Sequence, residues 1–167
     1  MKTTRICSLI CLLCVALLTV TSLSGCGSSS SMPFNGDVTF HSISLHIDDR
    51  FIRDSTQSSD EVWIFERGYY KEYVILSKKV AANDPADYLP DYAAYMEGQG
   101  AETEIKTYLD TDAVFSTYTK DEVFCQEVFF FQNGAYYAIA LRGGTEEGFA
   151  ELISSVSLIQ ASNTSEI

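Results

Sequence analysis

Residues 102–141 constrain the fold more than any other stretch of the chain. Three strand-like runs, Glu102–Leu109, Ala113–Tyr118 and Glu122–Phe131, are separated by only a few residues, and Asn133-Gly134 joins the third to a fourth, Tyr136–Leu141. Their β-branched and aromatic side chains suit a pleated, half-buried surface. Asn-Gly supplies two consecutive residues that accept positive φ, as a two-residue hairpin requires. Connections this short cannot carry a chain back to begin a parallel strand, so the run predicts an antiparallel sheet.

The stretch before it repeats the texture. From about Val38 the chain reads as globular, and Ile43, Leu45 and Ile47 alternate with Ser42, Ser44 and His46. That is the period of a half-buried strand. Asp48-Asp49-Arg50 reads as a turn, and Phe51-Ile52 re-enters the apolar layer. After a polar loop over 55–60, Val62–Phe65 and Tyr69–Lys78 read as a hairpin turning at Arg67-Gly68.

Two segments change period. Asn83-Asp84-Pro85 is a helix-start signal, with Asp as cap and Pro at the first helical position. Leu89, Tyr92, Ala93 and Met96 then recur at helical spacing until Gly98-Gln99-Gly100. Pro90 is expected to kink this helix or delay its start. Gly143-Gly144-Thr145 leads into a last helix, where Phe149, Leu152, Ile153 and Val156 share a face. The fold class expected is therefore α+β: a central antiparallel β-sheet flanked by helices over 38–160, with 161–167 a frayed polar tail.

The N-terminus has a different texture. Met1–Arg5 is short and basic, Ile6–Val20 carries no charge, and Leu23-Ser24-Gly25-Cys26 closes the segment. Basic start, apolar run and small residues before a cysteine are the parts of a secretory leader. The apolar run is shorter than the ~20 residues a spanning helix wants. Leu23–Cys26 resembles the bacterial lipobox. That resemblance implies a leader over 1–25, cleavage before Cys26 and lipid on its thiol, with 26–37 as a Ser-rich tether. The expected location is the extracytoplasmic face of a cell membrane, held there by acyl chains.

Charge narrows the partners. Only Lys2 and Arg5 of the 11 basic side chains precede Cys26, so nine remain against 23 acids, a balance of −14. Such a surface repels phosphate backbones, so nucleic acid is not expected as a partner. Four of the five cysteines lie at or before position 26, leaving Cys125 without an internal disulfide partner. Stability must then come from packing.

No reactive constellation stands out. His41 and His46, the two histidines, fall five apart in what reads as one strand, which puts them on opposite faces. Cys125 lies mid-strand between Phe124 and Gln126, with no base or helix start in sequence to activate it. Asp48-Asp49 and Asp110-Thr111-Asp112 offer oxygen atoms, but a calcium loop from Asp110 would need glycine where Phe115 stands. Gly143-Gly144 loosely resembles a phosphate cradle. Glu146 and Glu147 in the first helical turn would repel the phosphate. Catalytic, metal and cofactor residues are therefore all read as absent. Tyr69-Tyr70, Tyr88, Tyr92, Tyr95 and Tyr136-Tyr137 are more tyrosines than a small core needs, and tyrosine is favoured at interfaces.

Three stretches together resemble the PsbP-like family in its DcrB-type, lipoprotein form. They are Phe40–Ile47 followed by Phe51, Val62–Phe65, and Phe129–Ile139 followed by Phe149 and Ile153–Val156. The resemblance covers most of 38–160 and implies an αβα sandwich with no catalytic residues to carry over. It implies protein binding or assembly support. The expected function is thus a non-enzymatic, membrane-anchored module that binds another envelope protein. The alternative is a carrier or sensor of a small ligand or metal ion.

Overall fold

The computed structural model describes residues 36–48, 50–68 and 71–159. In chain order its elements are β1 (Gly36–Phe40), β2 (Ile43–Ile47), β3 (Ile52–Arg53), β4 (Val62–Arg67), β5 (Glu72–Val80), α1 (Pro85–Gly98), β6 (Glu102–Tyr108), β7 (Thr111–Lys120), β8 (Val123–Gln132), β9 (Ala135–Arg142), α2 (Glu146–Ser154) and β10 (Ser157–Leu158). Seven strands form one antiparallel sheet in the order β3-β4-β5-β9-β8-β7-β6. The meander over 102–142 builds one half. Because β9 returns beside β5, α1 bridges from the middle of the sheet to its far edge. The fold is a sheet-rich α+β fold, as the alternation of textures predicts.

A second sheet was not legible beforehand. β1 and β2 form a hairpin, and β10 adds to β2 with Ser157 opposite Ser44 and Leu158 opposite Ile43. This three-stranded sheet and α2 cover one face of the large sheet, and α1 covers part of the other. On the first face Phe65, Val74, Leu76, Val128, Phe130, Tyr137 and Ile139 pack with Phe40, Ile43, Leu45, Ile47, Phe149 and Leu152. On the second, Val114, Phe129, Tyr136 and Ala138 lie with Tyr88, Leu89, Tyr92, Ala93 and Met96. Strands buried on both faces read as apolar runs rather than alternations, hence Val128–Phe131.

Three local expectations change. His41 and His46 do not share a strand: His41 takes φ 55° in the two-residue turn between β1 and β2. Neither Gly nor Asn marks that turn, so its alternating apolar neighbours masked it. Pro90 does not delay the start of α1, which runs from Pro85 to Gly98 with Asp84 as cap, its carboxylate accepting from the Ala86 amide at 3.0 Å. Proline at the sixth helical position removes one backbone donor, and the stripe from Leu89 to Met96 holds the helix down regardless. The β4–β5 partner strand starts at Glu72 rather than Tyr69; Tyr69-Tyr70 lie outside the described residues.

Candidate functional site

A polar cleft of about 560 Å³ opens where β2 ends, β5 begins and α2 starts. Ile47, Phe51, Val74, Leu141 and Leu152 give it an apolar floor. Charged side chains form its rim. Arg67 donates to Glu72 at 2.9 Å, and both side chains are largely buried, at 22% and 17% exposure. Arg50 grips Asp48 through Nε at 2.8 and 2.9 Å. With those pairs formed, Glu147 and Glu151 leave the cleft with an acidic surplus.

The strand-to-helix corner beside the cleft explains Gly143-Gly144. Gly143 has φ 78°, and a Cβ there would lie 2.6 Å from the Lys71 carbonyl oxygen. A Cβ on Gly144 would lie 2.4 Å from a methyl of Leu141. Close packing fixes both glycines, and Thr145 caps α2 by accepting from the Gly148 amide at 3.1 Å. The corner serves the backbone, and Glu146 and Glu147 already complement the helix start.

Ser155 and His46 line one wall, with Asp37 beside the His46 ring, which invites comparison with a hydrolytic triad. Their bonds orient them otherwise. The Ser155 hydroxyl accepts from the backbone N–H of His46 at 3.0 Å and donates to the Leu152 carbonyl at 2.7 Å. It stands where the β2–β10 ladder would continue, so both its bonds are structural. The His46 imidazole instead leans toward the Asp37 carboxylate at 3.3 Å, with both side chains more than half exposed.

A second polar centre lies beneath α1. Glu127, 2% exposed, sits opposite Ser116 on the α1 face of the large sheet and accepts a hydrogen bond from the Tyr92 hydroxyl. Burial pushes its carboxyl above the ordinary range, and the Tyr92 bond only partly offsets this. Ser116 Oγ has no hydrogen-bond partner. Cys125 lies two residues along the same strand, 4% exposed, its thiol raised by burial despite the nearby Arg142 charge. A raised thiol pKa in an apolar setting opposes nucleophilic use. Tyr88, Tyr92 and Tyr136 belong to this layer, where Tyr92 and Tyr136 stack on Phe129 at 4.0 and 5.3 Å between ring centroids.

The remaining candidates scatter. His41 points to the Asp60 carbonyl at 2.7 Å, far in the fold from the bonds of His46. Asp110, with φ 64°, lies in the β6–β7 turn, and the exposed Asp112 follows it on β7. Among the described residues no three of His, Cys, Asp and Glu converge as a cation site. Cys26, Asp49 and the 161–167 tail lie outside the described residues. Sequence reasoning missed the Arg67–Glu72 pair and Glu127. A single acid inside the aromatic run of β8 was the available signal for the second.

Family models and curated proteins give no match to this chain. Among solved structures, a protein of Bacteroides thetaiotaomicron VPI-5482 is similar over 76% of this chain and 50% of its own, with 9% identity and a TM-score of 0.51. This chain thus spans half the length of that protein, and the likeness is one of fold. LpqN of Mycobacterium tuberculosis, described as involved in cell envelope biogenesis, is similar over 71% of this chain and 83% of its own, with 16% identity and a TM-score of 0.43.

Proposed function

We propose that this chain is a lipid-anchored, extracytoplasmic binding module of PsbP-like type, attached through Cys26 and engaging an envelope protein at the cleft beside α2. The single observation that carries the reading is the cleft itself. Its two arginines, Arg50 and Arg67, are held in preformed ion pairs over an apolar floor, an arrangement suited to receiving a partner side chain. Its serine and histidine are engaged in backbone and surface contacts rather than with each other's side chains. The acidic surplus at Glu147 and Glu151 favours a partner with basic side chains there. Lipid on Cys26 would supply a membrane attachment; among the described residues no helix is long and apolar enough to cross a membrane.

A photo-crosslinking residue placed at Glu151 in the native host tests this. A discrete adduct to one envelope protein is expected from Glu151 and not from Asp91, which is exposed on α1. Equal labelling from both positions, or none from Glu151, contradicts it. The cleft volume favours a second reading, a small cationic ligand, because about 300–1,000 Å³ is the usual size of such sites. Thermal-shift screening against organic and metal cations separates the two, since only the second predicts a rise in melting temperature without protein partner.

A further inference from the structure

We infer that the β6 edge of the large sheet pairs with the β6 edge of a second copy of this chain, joining two seven-stranded sheets into one through a twofold axis at Ile105. β6 is the terminal strand of its sheet, seven residues long, with no Pro, Gly or bulge to blunt it. Such an edge is a ready template for another strand. The backbone phase is right for this. Tyr108 and Thr111 close a two-residue hairpin, so Tyr108, Lys106, Glu104 and Glu102 direct their backbone groups to β7. Thr103, Ile105 and Thr107 then present their N–H and C=O groups outward.

Antiparallel pairing centred on Ile105 uses those outward groups in register. Thr103 meets the partner's Thr107, and Ile105 meets its own copy, as hydrogen-bonded pairs. Glu104 meets the partner's Lys106 at the closer, non-hydrogen-bonded sites, twice by symmetry. In the single chain the same two side chains bond each other along the strand, Lys106 Nζ to Glu104 Oε2 at 3.0 Å, with Lys106 also lying 4.3 Å from the Phe115 ring centroid. The pairing would extend that pair into a four-charge chain of alternating sign. Ile105 is 46% exposed and one of three exposed large apolar side chains among the described residues, the others being Val80 and Ile159. Its copy across the axis would cover it. The central five residues thus read Thr-Glu-Ile-Lys-Thr, with charge, hydroxyl and apolar positions matched under reversal about Ile105.

One short edge buries less than a standard interface, so the association is expected to be weak and concentration-dependent. Sedimentation velocity of the full chain in mild detergent, over a concentration series, reads it. E104K and K106E each replace two attractions by two repulsions, and each should weaken dimerisation by roughly tenfold or more. An equimolar mixture of the two variants restores both attractive pairs between unlike chains, so the dimer should return. That rescue is independent of any loss of stability in either variant. A monomer at every concentration overturns the proposal. So do single variants that associate like the parent chain, which is the result expected if the leader carried the association, or a mixture no better than its components.

Discussion

At Glu127 the fold keeps a carboxyl under α1 with the Tyr92 hydroxyl as its bonding partner. An acid whose folded-state pKa is raised stabilises the fold fully only below its unfolded pKa. The unfolded chain loses that proton first, so stability falls as pH rises from the ordinary Glu value, about 4.3, toward the raised one. Glu127→Gln keeps an acceptor for Tyr92 and removes the titration. Melting curves should nearly coincide at about pH 4 and separate in favour of the variant as pH rises. Coincidence across the whole range would mean that the carboxyl is not held protonated. Tyr137 makes the matching point without charge. Its ring is fully buried and stacks on Phe130 at 5.7 Å, while its hydroxyl has no hydrogen-bond partner. Tyr137→Phe should therefore leave stability unchanged or raise it by about 1 kcal/mol in urea unfolding, and a clear loss would reveal a bond to that hydroxyl. Neither residue announced its state in sequence, because what covers Glu127 is set by α1 and what covers Tyr137 by β1 and β2, each distant along the chain.

At the scale of elements, turn chemistry decides what was legible. Asn133-Gly134, at φ 50° and 77°, forms the turn its dipeptide predicts. Leu109-Asp110 and Asp121-Glu122 adopt the same left-handed pair, at φ 50° and 64° and at φ 50° and 63°, without glycine or asparagine. Short-range strand pairing imposes those angles against local preference, so strand ends moved: β7 runs Thr111–Lys120 where 113–118 was expected. Replacing Asp121-Glu122 by Asn-Gly removes the strain of a side chain in the left-handed region. A gain of about 1 kcal/mol is expected in urea unfolding with unchanged slope; no gain would show that the turn is unstrained. The helices were the most legible elements. Asp84 and Thr145 cap them as their sequence positions imply, and their apolar stripes face the two cores. β10 was illegible because two residues, Ser157-Leu158, carry no period and gain their identity only from the open edge of β2.

For the whole molecule, the layer order follows from patterning and the cleft does not. Its walls come from segments scattered over about a hundred residues, and Arg67 and Glu72 pair only because β4 and β5 are in register there. The proposal therefore joins two parts of different kind: a cleft described by the fold, and an anchor inferred from Leu23–Cys26. On that proposal the anchor would decide which molecules the cleft can meet. Intact-mass analysis of the protein from membranes of its native host tests it most directly. The account predicts a chain that begins at Cys26 and carries the added mass of a diacylglyceryl group, with Cys26→Ser protein left unprocessed. A chain that still begins at Met1, or one with a bare Cys26 in the soluble fraction, would contradict it.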